Sequence, residues 1–346
     1  MEPLQLNVAL LRRRVPQLTK AARSVGLRPA TVSNLTTGKI SIARTEVRTL
    51  VALADLADCS LDDLIIRGER YEMIETGIKT IDLFAPLAKG GTAGLVARPG
   101  MGQLVVLAEI FHRLKKEDYQ VVVLKPDGDF PEVNDITEDV EFVYETVEEA
   151  DLKVQEIGTE RDVIFVADRS HVQNGNILSL YEKWSSLQSV TTFLVDFKGE
   201  AVDEEFPFGP LETVWQFDSE LSARHLYPAI HPLYSTSTVL EGTNLDQHHF
   251  KTQQKAKRHL RRYRELRSIV RVSGLDSLPE QEQRLYKRGE KLEAYLTQPL
   301  YVAEAFTGQQ GESVPLKEML EDVQKIIDGA VDDRSVEVLT SIGALT

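Results

Sequence analysis

The stretch that most constrains this chain is Gly91–Ile110, GTAGLVARPGMGQLVVLAEI. An apolar run, a glycine-rich turn and a second apolar run with helical spacing predict strand, loop and helix in that order. This is the layout of a loop that cradles phosphate on main-chain N–H groups at a helix N-terminus. A working loop of the form G-x-x-x-x-G-K-S/T needs two glycines, a lysine for the terminal phosphates and a hydroxyl for Mg²⁺. Here Ala97 stands at the first glycine and Gly102 at the second, while Gln103 and Leu104 stand at the lysine and the hydroxyl. The scaffold is expected to persist and the chemistry to be gone.

Strand-like runs follow at Val121–Leu124, Val163–Ala167 and Thr192–Val195, alternating with helical stretches such as Val105–Lys115 and Ile177–Leu187. That alternation predicts an α/β protein with a parallel sheet covered on both faces. The segment Glu241–Leu296 is helical in pattern, highly charged, and punctuated at Gly274 and Pro279. It reads as a separate helical domain. The expected organisation is a head at 1–68, a core at 69–238 and a helical domain at 239–346, with a short linker near Ile66–Glu75.

The net charge of −14 is unevenly spread. Residues 1–68 hold ten Lys/Arg against six Asp/Glu, which leaves thirty against forty-eight in the remainder. A small basic head on an acidic body suggests a nucleic-acid-binding module joined to something else. No stretch approaches the ~20 apolar residues of a membrane span. The opening residues lack signal-peptide order, because Arg12–Arg14 follow the short apolar run Val8–Leu11 instead of preceding it. The one cysteine, Cys59, excludes an internal disulfide framework. The expectation is a cytoplasmic protein.

In the head, helical spacing through Val8–Val15, Leu18–Val25, Thr31–Leu35, Val47–Leu56 and Leu61–Ile66 predicts five short helices and an all-α fold. Ala22 is small where two helices would cross, Gly26 supplies the turn between them, and Pro29 suits a first helical turn. Val32 and Leu35 then point inward, leaving Arg28, Thr31, Ser33 and Asn34 outside. The stretch Leu18–Ile66 resembles the Cro/lambda-repressor-like helix-turn-helix family. The resemblance implies that Pro29–Leu35 enters the major groove, with Asn34 suited to reading adenine and Arg28, Lys39 and Arg44 suited to phosphates. Such domains bind as dimers on paired half-sites, so a homo-oligomer is expected. A helical protein-docking module is the alternative.

Four body segments carry a second resemblance. They are ETGIKTIDLFAPLAKGG (Glu75–Gly91), LYPAIHPLYSTS (Leu226–Ser237), QPLYVAEAFTG (Gln298–Gly308) and VPLKEML (Val314–Leu320). In this order they resemble the catalytic beta subunit of the rotary ATP synthase over about residues 72–346. The resemblance implies a RecA-like nucleotide-binding core, with the helix-turn-helix head in place of the family's β-barrel domain. It puts the phosphate-loop lysine and threonine on Gln103 and Leu104, and the catalytic Glu-Arg pair on Gly128 and Asp129. The acidic residue that orders the Mg²⁺ water falls on Asp168, and the two adenine-sandwiching aromatics on Tyr227 and Phe306. Gly100, Gly102 and Gln103 would supply main-chain contacts to an adenine nucleotide. Inherited core packing is the other reading of the two aromatics.

Gln103 brings no positive charge, Leu104 cannot ligate Mg²⁺, and no carboxylate remains to orient water. The expectation is therefore a pseudo-ATPase, with adenine nucleotide bound, if at all, without hydrolysis. The helix His248–Arg271 departs from the family's mixed charge: Lys251, Lys257, Arg258, Arg261, Arg267 and Arg271 form a candidate second basic surface for DNA or an acidic protein. The alternative there is a solvated face with internal ion pairs. His248, His249 and His259 have no ligand spacing with Cys or carboxylates, so no metal site is expected. In DSLPEQE (Asp276–Glu282), Pro279 and reduced charge weaken any torque-generating role for the family's shaft-contacting loop. The leading expectation is a DNA-binding transcriptional regulator. The alternative is an interaction protein that pairs with rotary ATPase subunits. An altered enzyme has no visible constellation, and an RNA-handling ring ATPase would keep the lysine.

Overall fold

The structure is a computed structural model. It describes all residues except 1–3, 16–17, 37–39, 41, 43–44, 68–71, 127–132, 134–136, 138–139, 185–186, 188, 200–207, 210, 241–245 and 346. Lys39, Arg44, Gly128 and Asp129 therefore lie outside the described residues. The chain divides into two compact units, Met1–Arg70 with Glu241–Leu245, and Tyr71–Leu240 with Asp246–Thr346.

The first unit opens with strand β1 (Leu4–Leu6) and helix α1 (Val8–Arg14), whose N-cap Asn7 accepts a hydrogen bond from the Leu10 N–H at 3.0 Å. Helix α2 (Leu18–Ala21) runs into a 3₁₀ turn at Ala22–Val25 that ends on Gly26, at φ 75°. Helix α3 (Pro29–Thr36) follows, then α4 (Val47–Leu56) and α5 (Leu61–Leu64). Ser60 and Asp63 form a capping box on α5, and this hydrogen bonding holds the Asp63 carboxyl below its usual range. Leu11, Ala22, Val32, Leu53 and Leu64 are buried at the centre of one apolar cluster. The head is not all-α, however. The expected last helix stops at Leu64, and β2 (Ile65–Arg67) pairs antiparallel with β1, Leu6 opposite Ile65. Two adjacent β-branched residues, Ile65 and Ile66, favour extended backbone there.

In the second unit a small antiparallel pair, β3 (Met73–Ile74) and β4 (Leu87–Ala88), brackets helix α6 (Lys79–Phe84). Strand β5 (Thr92–Val96) leads through the glycine loop into α7 (Gln103–Lys115), then β6 (Gln120–Leu124) and β7 (Phe142–Tyr144). Helix α8 (Val147–Gly158) precedes β8 (Val163–Asp168), and α9 (Arg169–Gln173) and α10 (Asn176–Trp184) precede β9 (Val190–Val195). Strand β10 (Thr213–Gln216), helix α11 (Ser219–Ala223) and β11 (Thr236–Ser237) complete the sheet region. The seven strands lie in the order β11-β10-β5-β9-β8-β6-β7, and every neighbouring pair is parallel except β10 with β11.

Strand β8 shows why the sheet is buried on both sides. Ile164 and Val166 join the cluster beneath α7, while Val163, Phe165 and Ala167 join the cluster beneath α8 and α10. A strand apolar on both faces needs helices on both faces.

The C-terminal region is helical: α12 (Gln247–Ser273), α13 (Glu280–Tyr295), the short α14 (Glu304–Thr307) and α15 (Leu316–Asp328). It belongs to the same compact unit as the sheet and shares a core with its first helix. Leu83 and Phe84 of α6 sit in the same buried cluster as Leu260, Tyr263, Leu292 and Val323. Lys79, fully buried on α6, donates to the carbonyls of Ile342 (2.8 Å) and Gly343 (3.1 Å) and lies over the Tyr295 ring. These contacts tie the C-terminal tail and the helices to the start of the core. Among the described residues no helix is long and apolar enough to cross a membrane.

Candidate functional site

The glycine loop leaves β5 at the carboxyl edge of the sheet, where ligands of open α/β folds bind. Gly100 (φ 82°) and Gly102 (φ 84°) take left-handed backbone, which turns the chain from strand into α7. The loop turns part of itself into the core. Met101 is buried, and its sulfur accepts a hydrogen bond from the Arg98 N–H at 3.2 Å. Gln103 is buried at the first position of α7, and Leu104 packs partly against the core beneath it. A methyl group on Gly199 would lie 2.3 Å from Cδ of Pro99, so the turn after β9 closes down directly on the loop. That turn is held by Asp196, whose carboxylate accepts from the Lys198 and Gly199 N–H groups.

Asp168 ends β8 and caps α9. One carboxylate oxygen accepts from the Ser170 N–H at 2.9 Å, the other from the Phe197 N–H at 3.2 Å, and the residue is buried. Both oxygens are thus engaged in holding local backbone.

Gly100, Gly102, Tyr227 and Phe306 line one groove of about 1680 Å³, whereas Gln103 and Asp168 lie outside its wall. The Tyr227 ring sits over Gly102, within 3.5 Å of where a Cβ would stand, and its hydroxyl is 3.3 Å from Ser222 Oγ. Tyr227 is 37% exposed and Phe306 93% exposed, so neither ring is spent on core packing. The groove's opposite wall, Tyr301 and Val302, is positioned by residues that the sequence did not single out. Glu109 and Arg113 form a buried ion pair on α7 at 2.7 Å. Glu109 also accepts from the Val302 N–H, and Arg113 donates to the carbonyls of Thr76 and Glu312. Gln298 completes the brace by donating to the Gly77 and Glu312 carbonyls. The available signal was a Glu/Arg pair four apart on α7, with Glu109 set among apolar residues.

In the head, Arg28, just before α3, and Ser33 on α3 are exposed, while Val32 and Leu35 are buried. Thr31 and Asn34, expected on the outer face, are half-buried. On α12 the expected basic surface is divided. Arg267 is not on the surface: it is buried and paired with Glu220 and with Glu293 at 3.5 Å. Arg271 is exposed yet pairs with Glu220 at 3.3 Å. Lys251, Arg258 and Arg261 are exposed, and Lys257 is half-buried. His249 and His259 are turned inward onto the carbonyls of Leu83 and Leu285, and burial pushes both rings below the usual imidazole range. No group of three or more potential metal ligands occurs among the described residues.

A mostly parallel sheet, a glycine loop opening a helix at its carboxyl edge, and a helical region sharing the core define an ATP-synthase-like layout. The family model for the C-terminal domain of V and A type ATP synthase matches residues 240–335. The match covers α12 to α15 and stops short of the sheet, so it is this helical region that is similar to that domain.

Proposed function

We propose that the chain is a DNA-binding transcriptional regulator whose ATP-synthase-like body binds adenine nucleotide weakly, without hydrolysis, and supports homo-oligomerisation. The observation that carries the reading is the α2–turn–α3 unit of the head. Its second helix buries Val32 and Leu35, exposes Ser33 and leaves Thr31 and Asn34 half-buried, with Arg28 exposed just before its first turn. The absence of hydrolysis is supported by the loop. It lacks the lysine and hydroxyl, its Arg98 N–H is taken by the Met101 sulfur, the Gly199 turn closes on Pro99, and Asp168 is committed to backbone N–H groups. The open groove with two exposed rings supports retention of a base-stacking site.

Gel shifts on genomic fragments test the DNA reading. Asn34→Ala should relax sequence preference by about 1–3 kcal/mol, and Arg28→Ala should weaken all fragments alike. Retention of no specific fragment at moderate salt would refute it.

The match at 240–335 favours a second reading, an interaction protein for rotary ATPase subunits. Co-purification of such subunits with the intact chain would support it, and a clean pull-down would remove it.

A further inference from the structure

The sequence of α12 is far more basic than the body around it. Between Gln247 and Ser273 it carries nine Lys/Arg and a single carboxylate, Glu265. The structure sorts eight of these cations into two groups, and the ninth, Lys257, is half-buried. In the C-terminal half, Arg262 pairs with Glu265 and Glu282, Arg264 with Asp218, Arg267 with Glu220 and Glu293, and Arg271 with Glu220. These charges are neutralised by the protein itself.

The N-terminal half differs. Lys251, Lys255, Arg258 and Arg261 are all exposed, and none forms an ion pair among the described residues. Lys255 donates only to the neutral Gln324 side chain, and Arg258 only to the Gln254 carbonyl. Their spacings of four, three and three residues place them along one side of the helix. Like charges at these spacings repel, so the arrangement opposes helix stability when no anion is present.

We infer that this strip binds the phosphate backbone of double-stranded DNA as a second, sequence-independent contact surface. The inference rests on the DNA-binding reading of the chain and extends it to the body. From Lys251 to Arg261 the strip spans about 15 Å of helix axis, at 1.5 Å per residue. That length covers about four phosphates of one strand, at one per 3.4 Å of duplex axis. The strip also lacks what an acidic protein partner would need. Protein interfaces are built on a buried apolar centre, and the large apolar side chains that α12 exposes, Ile269 and Val272, lie beyond the strip at the other end of the helix. Cations without apolar anchors suit phosphates, which are held by charge and counterion release.

The test is the salt dependence of binding by the full chain. A random-sequence duplex and a retained genomic fragment are titrated between about 50 and 200 mM salt. The variant carries Lys251→Gln, Lys255→Gln, Arg258→Gln and Arg261→Gln together. All four side chains are exposed, so its melting temperature should stay unchanged or rise slightly. The slope of log affinity against log salt should shrink by about 3 to 4, since each lost phosphate contact removes about 0.9. Preference for the specific fragment should persist. Arg271→Gln, which removes a cation already paired within the chain, should leave the slope alone.

An unchanged slope in the quadruple variant overturns the inference. So does capture of poly-glutamate by the wild type that the variant loses while its DNA affinity is unaltered, which would assign the strip to an acidic protein. The two readings fail separately. No fragment preference in the wild type, combined with a slope that the quadruple variant still reduces, would remove the operator-reading head and leave the strip standing.

Discussion

Gln103 occupies the place where a phosphate-binding lysine would stand, and its surroundings explain why the exchange is stable. The residue is buried at the start of α7 with Met101 and Leu104 beside it, so an amide rests where an unpaired ammonium would be costly. Gln103→Lys should therefore lower stability by about 2 kcal/mol or more in anion-free buffer. Added ADP should recover part of the loss, because the new charge then has a partner. A melting temperature that falls and does not recover would mean that the loop no longer presents its hollow to an anion. Asp168 teaches the same lesson. The identity of the side chain was plain in the sequence, but its two bonds to the Ser170 and Phe197 N–H groups were not, because Phe197 approaches only when β8 and β9 pair.

Helix α6 joins the sheet to the helical region through Lys79, Leu83 and Phe84, while Asp82 holds the turn before it. Asp82 accepts from the Thr76 and Gly77 N–H groups, and full burial pushes its carboxyl up to about 7. Burial pushes the Lys79 ammonium down to about 7, while its amine holds the Ile342 and Gly343 carbonyls. The sign follows from proton counting. Between about pH 7 and 10.5 the unfolded lysine keeps a proton that the folded one has released, so the unfolded state binds more protons and stability rises with pH. Wild type should gain on Lys79→Met as urea unfolding is moved from pH 7 to pH 9.5. A flat difference would show that the amine is solvated. The sequence marked this segment by its resemblance to the rotary ATP synthase beta subunit, without placing a helix in it. It did not announce that Leu83 and Phe84 share a core with α12 and α13. The long separation in sequence hides such a contact, since neither periodicity nor composition records which faces meet.

For the whole molecule, the proposal joins a DNA-reading head to a body that responds to nucleotide without turning it over. Incubation with ATP and Mg²⁺ should release no phosphate above background, and each adenine nucleotide should raise the melting temperature in proportion to its occupancy. Tyr227→Ala should abolish that rise, because the ring over Gly102 is the stacking partner, and should leave random-duplex affinity intact. Equal melting temperatures with ATP, ADP, AMP and buffer would make the body purely structural.

The sequence by itself determined the α/β class, the strand–loop–helix at Gly91–Ile110 and the buried positions Val32 and Leu35 of α3. All three depend on local periodicity and on residues adjacent in the chain. It also fixed which atoms the glycine loop lacks, because Gln103 and Leu104 cannot become a cation or a hydroxyl in any fold. Tertiary structure alone decided which charges on α12 are cancelled and which face solvent. Glu220 and Glu293 reach Arg267 from α11 and α13, so pairing depends on how helices distant in sequence pack. It likewise decided that Tyr227 and Phe306 stand exposed in one groove, and that Met101 and Gly199 crowd the loop. Those outcomes are set by close approach in space, and the order of residues along the chain does not encode them locally.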